Sequence, residues 1–250
     1  MLDAVVRFSG KNLGLLCLEH VDRAHRWHPD EITFACQLAD KLTLAITNRD
    51  RQHTQQKLRR SLEDSIQAIA ATVEMRDPYT AGHERRVAEL AAAIGAEMAL
   101  PPFMVEGIHF GAMIHDLGKI QIPAEILSKP TRISPVEFEL IKGHAQAGYD
   151  ILKGIDFPWP VAEMARQHHE RLDGSGYPQG LKGDSILLEA RVLAVADVVE
   201  AMASHRPYRP GLGIDKALAE IERGRGTVYD AFVADACLRL FREKSYQLPD

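Results

Sequence analysis

The spacing of apolar residues predicts a β-hairpin at the start of this chain and helices after it. Residues 1–21 hold the short apolar runs VVRF and LGLLCLEHV, which the turn-forming residues 9–12 separate. Two such runs around a glycine-containing turn predict a β-hairpin. A two-stranded hairpin is marginally stable alone, so it needs an apolar partner. A helix predicted after Pro29 offers apolar residues at roughly helical spacing, namely Ile32, Phe34, Ala35, Leu38, Leu42, Ala45 and Ile46.

A polar and charged segment follows, from Asn48 to about Met75. Apolar residues continue through it at intervals of three or four, at Leu58, Leu62, Ile66, Ile69 and Val73. This pattern predicts a linker helix over residues 48–76. Two interpretations remain open: a short parallel coiled coil that joins two subunits, and a helix that docks within its own subunit.

From Asp77 onward almost the whole chain is predicted to be helical. Clusters of proline and glycine near positions 100, 130, 158, 174–183 and 207–213 mark the predicted loops. The expected fold class is therefore mainly α, a helical bundle that follows a short α+β segment and the linker helix.

Composition narrows the classes of function. The chain of 250 residues carries 30 Lys and Arg against 35 Asp and Glu, so it has no basic excess of the kind that binds a nucleic-acid polymer. Its three cysteines, Cys17, Cys36 and Cys237, are not paired in sequence, which argues against disulfides and a cysteine zinc site and favours the cytoplasm. No apolar run reaches about 18 residues, so we expect no membrane span and no signal peptide.

Histidine and aspartate lie among the apolar residues of the predicted bundle. His83 begins a helical stripe of core-type residues. His115 and Asp116 are adjacent at the end of the apolar predicted helix FGAMIHDLGK, and Lys119 lies three residues later on the side of Asp116. Burying a carboxylate costs several kcal/mol, roughly, unless a cation or strong hydrogen bonds compensate.

Three more histidines are predicted to face inward. His144 shares a helix side with Ile141 and Ile151, and His168 and His169 close the segment VAEMARQHHE. A single histidine in such a place is commonly a hydrogen-bonded core residue. The grouping of several is what indicates a site.

Asp197 lies inside the strongly apolar helix LLEARVLAVADVVEAMA, which should be buried over most of its surface. Two interpretations are open for it, a metal ligand and a buried salt bridge to Arg191 or Arg206.

Together these positions supply five imidazoles and two carboxylates. Nitrogen and oxygen ligands suit zinc, manganese and iron, and seven ligands suit two ions. Two ions about 3.5 to 4 Å apart would activate water and neutralise a phosphoryl group. The sequence therefore predicts hydrolysis of a phosphate ester.

Several stretches resemble the HD-GYP family, a branch of the HD metal-dependent phosphohydrolase superfamily. They are RDPYTAGHERRVAELA, GAMIHDLGKIQIP, EILSKP, GHAQAGYDIL, HHERLDGSGYPQGLKGD, ARVLAVADVVEAM and RPYR, in the order and spacing of that family. The resemblance covers about residues 77–240, and the domain is expected over 77–250. It implies hydrolysis of the second messenger cyclic di-GMP to the linear dinucleotide and sometimes GMP.

The same resemblance implies a role for each matching residue. One metal ion is held by His83, His115, Asp116 and Asp197, and Asp116 bridges to a second ion held by His144, His168 and His169. Lys119 contacts the scissile phosphate, for which the alternative is a solvated helix-end lysine.

The resemblance also implies the substrate-binding residues. Tyr177 in DGSGYP offers a ring for a guanine base, although Pro178 and Gly180 could simply form a turn. Arg206 and Arg209 in RPYR suit a dianionic dinucleotide, and the alternative is that Arg206 orients Asp197.

Two positions depart from the family. Some members carry a third metal ion on a glutamate four residues before the first histidine, where this chain has Tyr79. We therefore expect two ions, iron or manganese. Glu200 stands where aspartate is common, which is expected to matter little because it lies outside the ligand set.

Residues 1–47 resemble the last part of a GAF domain, a small sensory module whose earlier strands are absent. Residues 48–76 would then link the sensor to the enzyme, with a homodimer through this helix as one option. The competing hypotheses are a catalytically weak module that binds partners such as diguanylate cyclases through its GYP loop, and a hydrolase of another cyclic dinucleotide such as cyclic GMP-AMP.

Overall fold

The computed structural model describes residues 1–21, 23–76, 82–129, 131–204 and 211–249. Within these ranges the chain is mainly helical, with one two-stranded sheet, so the expected fold class is confirmed. It divides into two compact units, Met1–Glu63 and Asp64–Asp250.

The first unit contains the predicted hairpin. Strands β1 (Leu2–Phe8) and β2 (Lys11–Leu18) pair antiparallel, with an irregularity between Val6 and Arg7. The helix α1 (Pro29–Glu74) follows. A small apolar cluster joins hairpin and helix through the buried residues Ala4, Val6, Ala35 and Ala39.

Helix α1 contacts the hairpin cluster through Ala35, Ala39 and the partly buried Ile46, while several of its other large apolar residues are exposed. Ala35 and Ala39 are buried, whereas Phe34 is 60% exposed and Ile32 and Leu42 are also exposed. Alanine has no side chain beyond Cβ, so a strand can approach the helix closely there. Helical spacing alone did not reveal which apolar residues face the hairpin.

The apolar stripe of the predicted linker divides in two. Ile66 and Val73 are buried, and Ile66 belongs to the main core of the second unit. Leu58, Leu62 and Ile69 are exposed. The last turns of α1 therefore dock within their own subunit, as one of the two interpretations requires. Helix α1 shows no break at residue 47 or at residue 63.

The second unit is a bundle of helices with two short 3₁₀ segments, Leu117–Gln121 and Gly183–Ser185. Its α-helices are α2 (His83–Glu97), α3 (Pro102–Met113), α4 (Ala124–Leu127), α5 (Pro135–Leu152), α6 (Val161–Gln167), α7 (Leu188–Ala203), α8 (Ile214–Gly224) and α9 (Ala231–Arg242).

Helices α2, α3 and α7 form the centre of this bundle. Helix α2 packs on α3, α7 and α9, while α5 packs on α6 and on the first 3₁₀ segment. Completely buried residues such as Leu90, Ile108, Leu193 and Ile221 fill the space between them. None of the helices in the described ranges is long and apolar enough to cross a membrane.

One predicted element is wrong. The sequence suggested a single helix through FGAMIHDLGK, but α3 ends at Met113 and a turn carries His115 and Asp116 before the 3₁₀ segment begins. Gly118 in this 3₁₀ segment lies against α5, and a Cβ on Gly118 would be 1.9 Å from the carbonyl oxygen of His144. This close approach brings Asp116 beside the histidine of α5.

Candidate metal centre

The structure brings the seven predicted residues together in two groups. The ligand atoms of His83, His115 and Asp197 lie within 4.8 Å of one another, and a second group of the same compactness contains Asp116, His144, His168 and His169. Most of these side chains are buried, and His169 and Asp197 are partly buried.

Asp116 lies between the two groups. Its Oδ1 is 3.2 Å from His144 Nε2 and 4.0 Å from His168 Nε2, while its Oδ2 is 3.6 Å from His115 Nε2. Each carboxylate oxygen thus points to a different group. The rings of His115 and His168 also meet across the boundary, with centroids 4.9 Å apart. Asp116 is thus the carboxylate that lies closest to both groups of candidate ligands.

Backbone carbonyls fix three of the imidazole rings. Nδ1 of His115, His144 and His168 lies 2.6 to 2.7 Å from the carbonyl oxygen three residues earlier. A carbonyl oxygen can only accept, so each Nδ1 carries the hydrogen. Nε2 therefore presents its lone pair to the centre of the site, which is how metal-binding histidines are commonly held.

Two of these lone pairs face each other. His144 Nε2 and His168 Nε2 are 3.3 Å apart, and with both hydrogens on Nδ1 neither nitrogen can donate to the other. His115 Nε2 is buried without a hydrogen-bond partner among the described residues. Buried polar atoms normally have a partner. A divalent cation in the second group would satisfy the nitrogens of His144 and His168, and one in the first group would satisfy that of His115, so the residues present fit a metal centre.

Burial suppresses protonation of two histidines in the second group. Burial, with a charge effect from His169, holds the pKa of His168 well below its usual range. Burial and the nearby His144 lower the pKa of His169 to about 3. At neutral pH both rings are neutral, which is the form that binds a metal ion.

In the first group, two carboxylates hold the ring of His83. His83 Nε2 is 3.3 Å from Asp197 Oδ1, and His83 Nδ1 is hydrogen-bonded to Glu200. Burial opposes protonation of His83, but its hydrogen bonds with Asp197 and Glu200 outweigh burial and raise its pKa to about 10. Glu200 also accepts hydrogen bonds from Arg86 Nε at 2.7 Å and from Ser204 Oγ at 2.7 Å.

Glu200 is a residue that the sequence interpretation undervalued. It is 1% exposed and fixes the ring of His83, so the change from aspartate is not remote from the site. Burial opposes its ionisation, but His83, Ser204 and Arg86 together lower its pKa to about 2. The available signal was its spacing, since position 200 lies one helical turn after Asp197.

The salt-bridge alternative for Asp197 is not supported for Arg191. The guanidinium of Arg191 is 2.9 Å from Asp230 and 3.2 Å from Asp184. Asp197 pairs with His83 instead. Burial opposes ionisation of Asp197, but the hydrogen bond and charge of His83 hold its pKa well below the usual range.

Lys119 pairs with the central carboxylate. Its Nζ lies 2.6 Å from Asp116 Oδ2, as the spacing of three residues predicted. Burial opposes ionisation of Asp116, but the positive charge of Lys119 is the largest of the effects that hold its pKa well below the usual range. The side chain of Lys119 is 15% exposed, so it is not a solvated lysine at a helix end.

A buried glutamate beside Asp116 has one carboxylate oxygen without a hydrogen-bond partner among the described residues. Glu84 is 3% exposed, and its Oε2 contacts no donor among the described residues. Burial, with the charges of Asp116 and Glu74, raises its pKa to about 9. The sequence interpretation did not single it out, because its only signal was its place next to His83.

The GYP loop lies against the second group. The ring of Tyr177 packs on His169, with centroids 4.6 Å apart, and is partly buried. The loop itself is held by Glu170, which is 2% exposed and accepts hydrogen bonds from the amides of Gln179 and Leu181 at 2.7 and 2.9 Å. Glu170 is a second residue that the sequence interpretation missed.

Gly176, in the GYP loop, lies very close to another part of the backbone. A Cβ at this position would lie 2.4 Å from the carbonyl oxygen of His169 and 2.5 Å from the amide nitrogen of Arg171. The glycine therefore lets the loop fold back onto the backbone beside the histidine pair. This places Tyr177 next to the candidate metal ligands.

Three of the predicted positions lie outside the described residues. They are Arg206 and Arg209, which were predicted to bind substrate, and Tyr79, on which the expected number of metal ions rests.

Comparisons with known proteins identify the family of the helical domain. The family model described as "HD domain" matches residues 67–233. The chain is 39% identical over 178 residues to "Cyclic di-GMP phosphodiesterase response regulator RpfG" of Xanthomonas campestris, covering 70% of this chain and 47% of that protein. It is 37% identical over 191 residues to "3'3'-cGAMP-specific phosphodiesterase 3" of Vibrio cholerae, covering 75% of this chain and 42% of that protein. The chain thus spans less than half the length of these two relatives.

A solved structure gives the fold. The helical bundle superposes on Bd1817, titled an HDG"Y"P protein from Bdellovibrio bacteriovorus, with a TM-score of 0.53 and 19% identity over 64% of this chain and 51% of that one. With the matched family model covering more than half of its residues, the chain belongs to the HD domain family.

Proposed function

We propose that this chain is an HD-GYP phosphodiesterase that hydrolyses cyclic di-GMP by means of two divalent metal ions. The observation that supports this most strongly is the position of Asp116, with one carboxylate oxygen toward each group of ligand atoms. A relative with 39% identity is named a cyclic di-GMP phosphodiesterase. Water adds across one phosphodiester bond of the ring, so that the linear product carries a phosphate monoester at one end and a free hydroxyl group at the other.

The residues that would hold the two ions are the seven brought together in the centre. His83, His115 and Asp197 would hold one and His144, His168 and His169 the other, with Asp116 shared. Bound there, two divalent ions supply a hydroxide nucleophile at neutral pH and neutralise charge on the phosphate.

The protein's own groups would orient this reaction. The Nδ1 hydrogen bonds to backbone carbonyls keep the rings of His115, His144 and His168 in position. Lys119, beside Asp116 Oδ2, places a positive charge where the phosphate oxygens would lie. Tyr177 bounds the site on the side of His169 and offers its ring to a base, and Arg206 and Arg209 would bind the second phosphate.

A second substrate is favoured by one comparison. A relative with 37% identity is named as specific for 3'3'-cGAMP. The seven candidate ligands serve either dinucleotide equally, because they face the phosphate and not the bases. A further alternative, a weakly active module that binds diguanylate cyclases through the GYP loop, is opposed by the complete ligand set.

The test is turnover of cyclic di-GMP, 3'3'-cGAMP and the linear dinucleotide by metal-loaded protein, with products separated by chromatography. Asp116→Asn is the control that should abolish turnover of each. Hydrolysis of cyclic di-GMP at the highest kcat/KM is expected. Absence of metal-dependent hydrolysis in the wild-type protein would overturn the proposal.

For the ions we propose iron or manganese, because histidine and carboxylate ligands without thiolates suit them. Metal analysis of anaerobically purified protein should find two equivalents per chain. One equivalent, or zinc alone, would contradict this.

Three further proposals concern the rest of the chain. Residues 1–47 would be the end of a GAF-like sensory domain, residues 48–76 its linker and residues 77–250 the enzyme. We place the protein in the cytoplasm.

The exposed residues Leu58 and Leu62 of α1 would pack against a second copy of the chain. Replacing both with glutamate should convert a dimer to a monomer in light scattering, and an unchanged mass would contradict this.

A further inference from the structure

Two residues on α5 extend the site beyond Tyr177. Phe138 lies on α5 and is 46% exposed. Its ring centroid is 6.5 Å from that of Tyr177, and the two rings are nearly perpendicular, at 80°. Since Tyr177 packs on His169, a continuous row of rings leads from the candidate metal ligands to the surface.

A cation lies in the corner between these two rings. Lys142 Nζ is 5.0 Å from the ring centroid of Phe138 and 5.6 Å from that of Tyr177. Its side chain is 30% exposed and also pairs with Glu139, with Nζ 2.7 Å from Oε1. Glu139 is 69% exposed, so this pair contributes little and can exchange for another acceptor.

Packing in the apolar core does not explain why position 138 carries a phenylalanine. Nearly half of its surface is in water, where an aromatic ring is unfavourable, and its described ring contact is with Tyr177. Val136 and Leu140 on the same helix are exposed as well, but Phe138 is the one that meets the ring beside the metal centre. Exposed aromatic rings next to cations are the parts from which proteins build sites for unpaired bases.

We propose that Phe138 and Lys142 form a base-recognition subsite in which one purine of a cyclic dinucleotide stacks on Phe138 and its edge accepts a hydrogen bond from Lys142. This rests on the proposed function, whose scissile phosphate lies at the metal centre. It adds a base-binding surface that Tyr177 alone does not provide.

Lys142 is expected to make this subsite prefer one purine base over the other. The edge of guanine presents the acceptors O6 and N7, which a lysine can contact together. Adenine has an amino donor in place of O6, which faces a positive charge unfavourably. A site with Lys142 at the base edge should therefore favour guanine over adenine.

The first test compares two substrates in Phe138→Ala. For cyclic di-GMP, kcat/KM should fall about tenfold, mainly through KM, because stacking on an aromatic side chain contributes about 1–3 kcal/mol per base. The loss for methyl p-nitrophenyl phosphate, a diester without a base, should be at least fivefold smaller. Phe138→Tyr should keep most of the activity toward cyclic di-GMP.

Phe232→Ala is the matched control, because Phe232 is a 78% exposed ring on α9. Phe232→Ala should leave kcat/KM unchanged for both substrates. An equal loss for both substrates in Phe138→Ala would mean that the ring acts through the fold or the metal centre, and no loss for either would remove it from the site.

The second test uses Lys142→Met. The ratio of kcat/KM for cyclic di-GMP to that for cyclic di-AMP should fall about tenfold, since a good pair to a base edge contributes about 1–3 kcal/mol of discrimination. Lys153→Met is the matched control, because Lys153 also pairs with an acid three residues earlier, at 2.6 Å, and lies 5.6 Å from a tyrosine ring on α5. An unchanged ratio in Lys142→Met would overturn the role of the lysine.

Binding separates this inference from the proposed function. Calorimetry of metal-loaded Asp116→Asn with cyclic di-GMP, alone and combined with Phe138→Ala, reports the subsite without turnover. If wild-type protein binds but does not hydrolyse and Phe138→Ala still weakens binding, the proposed function fails while the subsite stands. If Phe138→Ala leaves the Kd unchanged, the subsite fails whatever the turnover.

Discussion

At the scale of single residues, the site depends on hydrogen bonds that orient four of its five imidazoles. Backbone carbonyls hold three of the rings, and the carboxylate of Glu200 holds His83. A carboxylate on the outer nitrogen increases the basicity of the inner one and fixes the ring. Glu200 should therefore govern metal occupancy without touching a metal ion.

Replacing Glu200 by glutamine should lower the metal affinity of the His83 group about 10- to 100-fold. Metal content after dialysis against a weak chelator measures this. Glu200→Asp should retain more metal than Glu200→Gln, and Glu189→Gln on the same helix should match the wild type. Full occupancy in Glu200→Gln would contradict the role assigned here.

Lys119 should act on the transition state. Lys119→Ala should lower kcat about 10²- to 10³-fold, the usual effect of removing one charge-stabilising donor, while metal content stays near that of the wild type. Steady-state kinetics and metal analysis of the same preparation test this. If metal is lost in proportion to activity, the lysine serves mainly to hold Asp116.

At the scale of elements, the contact between the first 3₁₀ segment and α5 positions Asp116. Gly118 makes this contact possible, because a Cβ there would overlap the backbone of α5. Gly118→Ala should lower the free energy of unfolding by about 1–3 kcal/mol or more, since backbone must shift to admit the methyl group. Urea denaturation measures this change.

Gly143→Ala is the matched control on α5, because a Cβ at Gly143 meets nothing within 4 Å. It should leave stability unchanged or raise it by up to about 1 kcal/mol, given the low helix propensity of glycine. Equal destabilisation by both substitutions would argue against a specific contact at Gly118.

The residues at the start of α5 predict how the stability of the fold depends on pH. Ser134 and Glu137 form a capping box, and Glu137 also pairs with Lys129 at 2.7 Å. The hydrogen bonds with Lys129 and Ser134 lower the pKa of Glu137 from 4.5 to about 2. A carboxylate with a lowered folded-state pKa stabilises the fold above its unfolded pKa, and this contribution is lost as the pH falls toward the folded pKa.

The wild type should therefore melt at a higher temperature than Glu137→Gln by a constant margin from pH 8 to about pH 5. The margin should shrink as the pH falls from about 4.5 toward 2. Thermal unfolding followed by circular dichroism measures it, with Glu125→Gln as a control. A margin that persists undiminished at low pH would show that the charge of Glu137 is not involved.

At the scale of the whole molecule, the seven candidate metal ligands come from α2, the turn after α3, α5, the end of α6 and α7. Ions bound to all of these elements should stabilise the second unit as one body, because a ligand that binds only the folded state stabilises it by mass action. Chelation should lower Tm by about 5 °C or more.

Differential scanning calorimetry of metal-loaded and chelated protein tests this. Asp116→Asn should show a smaller change on chelation than the wild type. If chelation leaves the Tm of the wild type unchanged, the seven residues do not hold tightly bound ions.

Much of this molecule could be predicted from the sequence. The hairpin, the helical bundle, the loops at proline and glycine clusters and the seven candidate ligands all follow from residue type and spacing, because periodicity records which face of an element is buried. The ion pair of Lys119 with Asp116 followed from a spacing of three residues.

Other features were decided only by the tertiary structure, because spacing does not record which buried faces meet. The end of α3 at Met113, the contact of Gly118 with α5 and the tautomers that backbone carbonyls set for three histidines are of this kind. Glu200 gained its role from the ring it meets, and Phe138 gained its role from Tyr177, which lies 39 positions further along the chain. The sequence thus determined which groups are available for chemistry, and the packing of helices decided which of them act together.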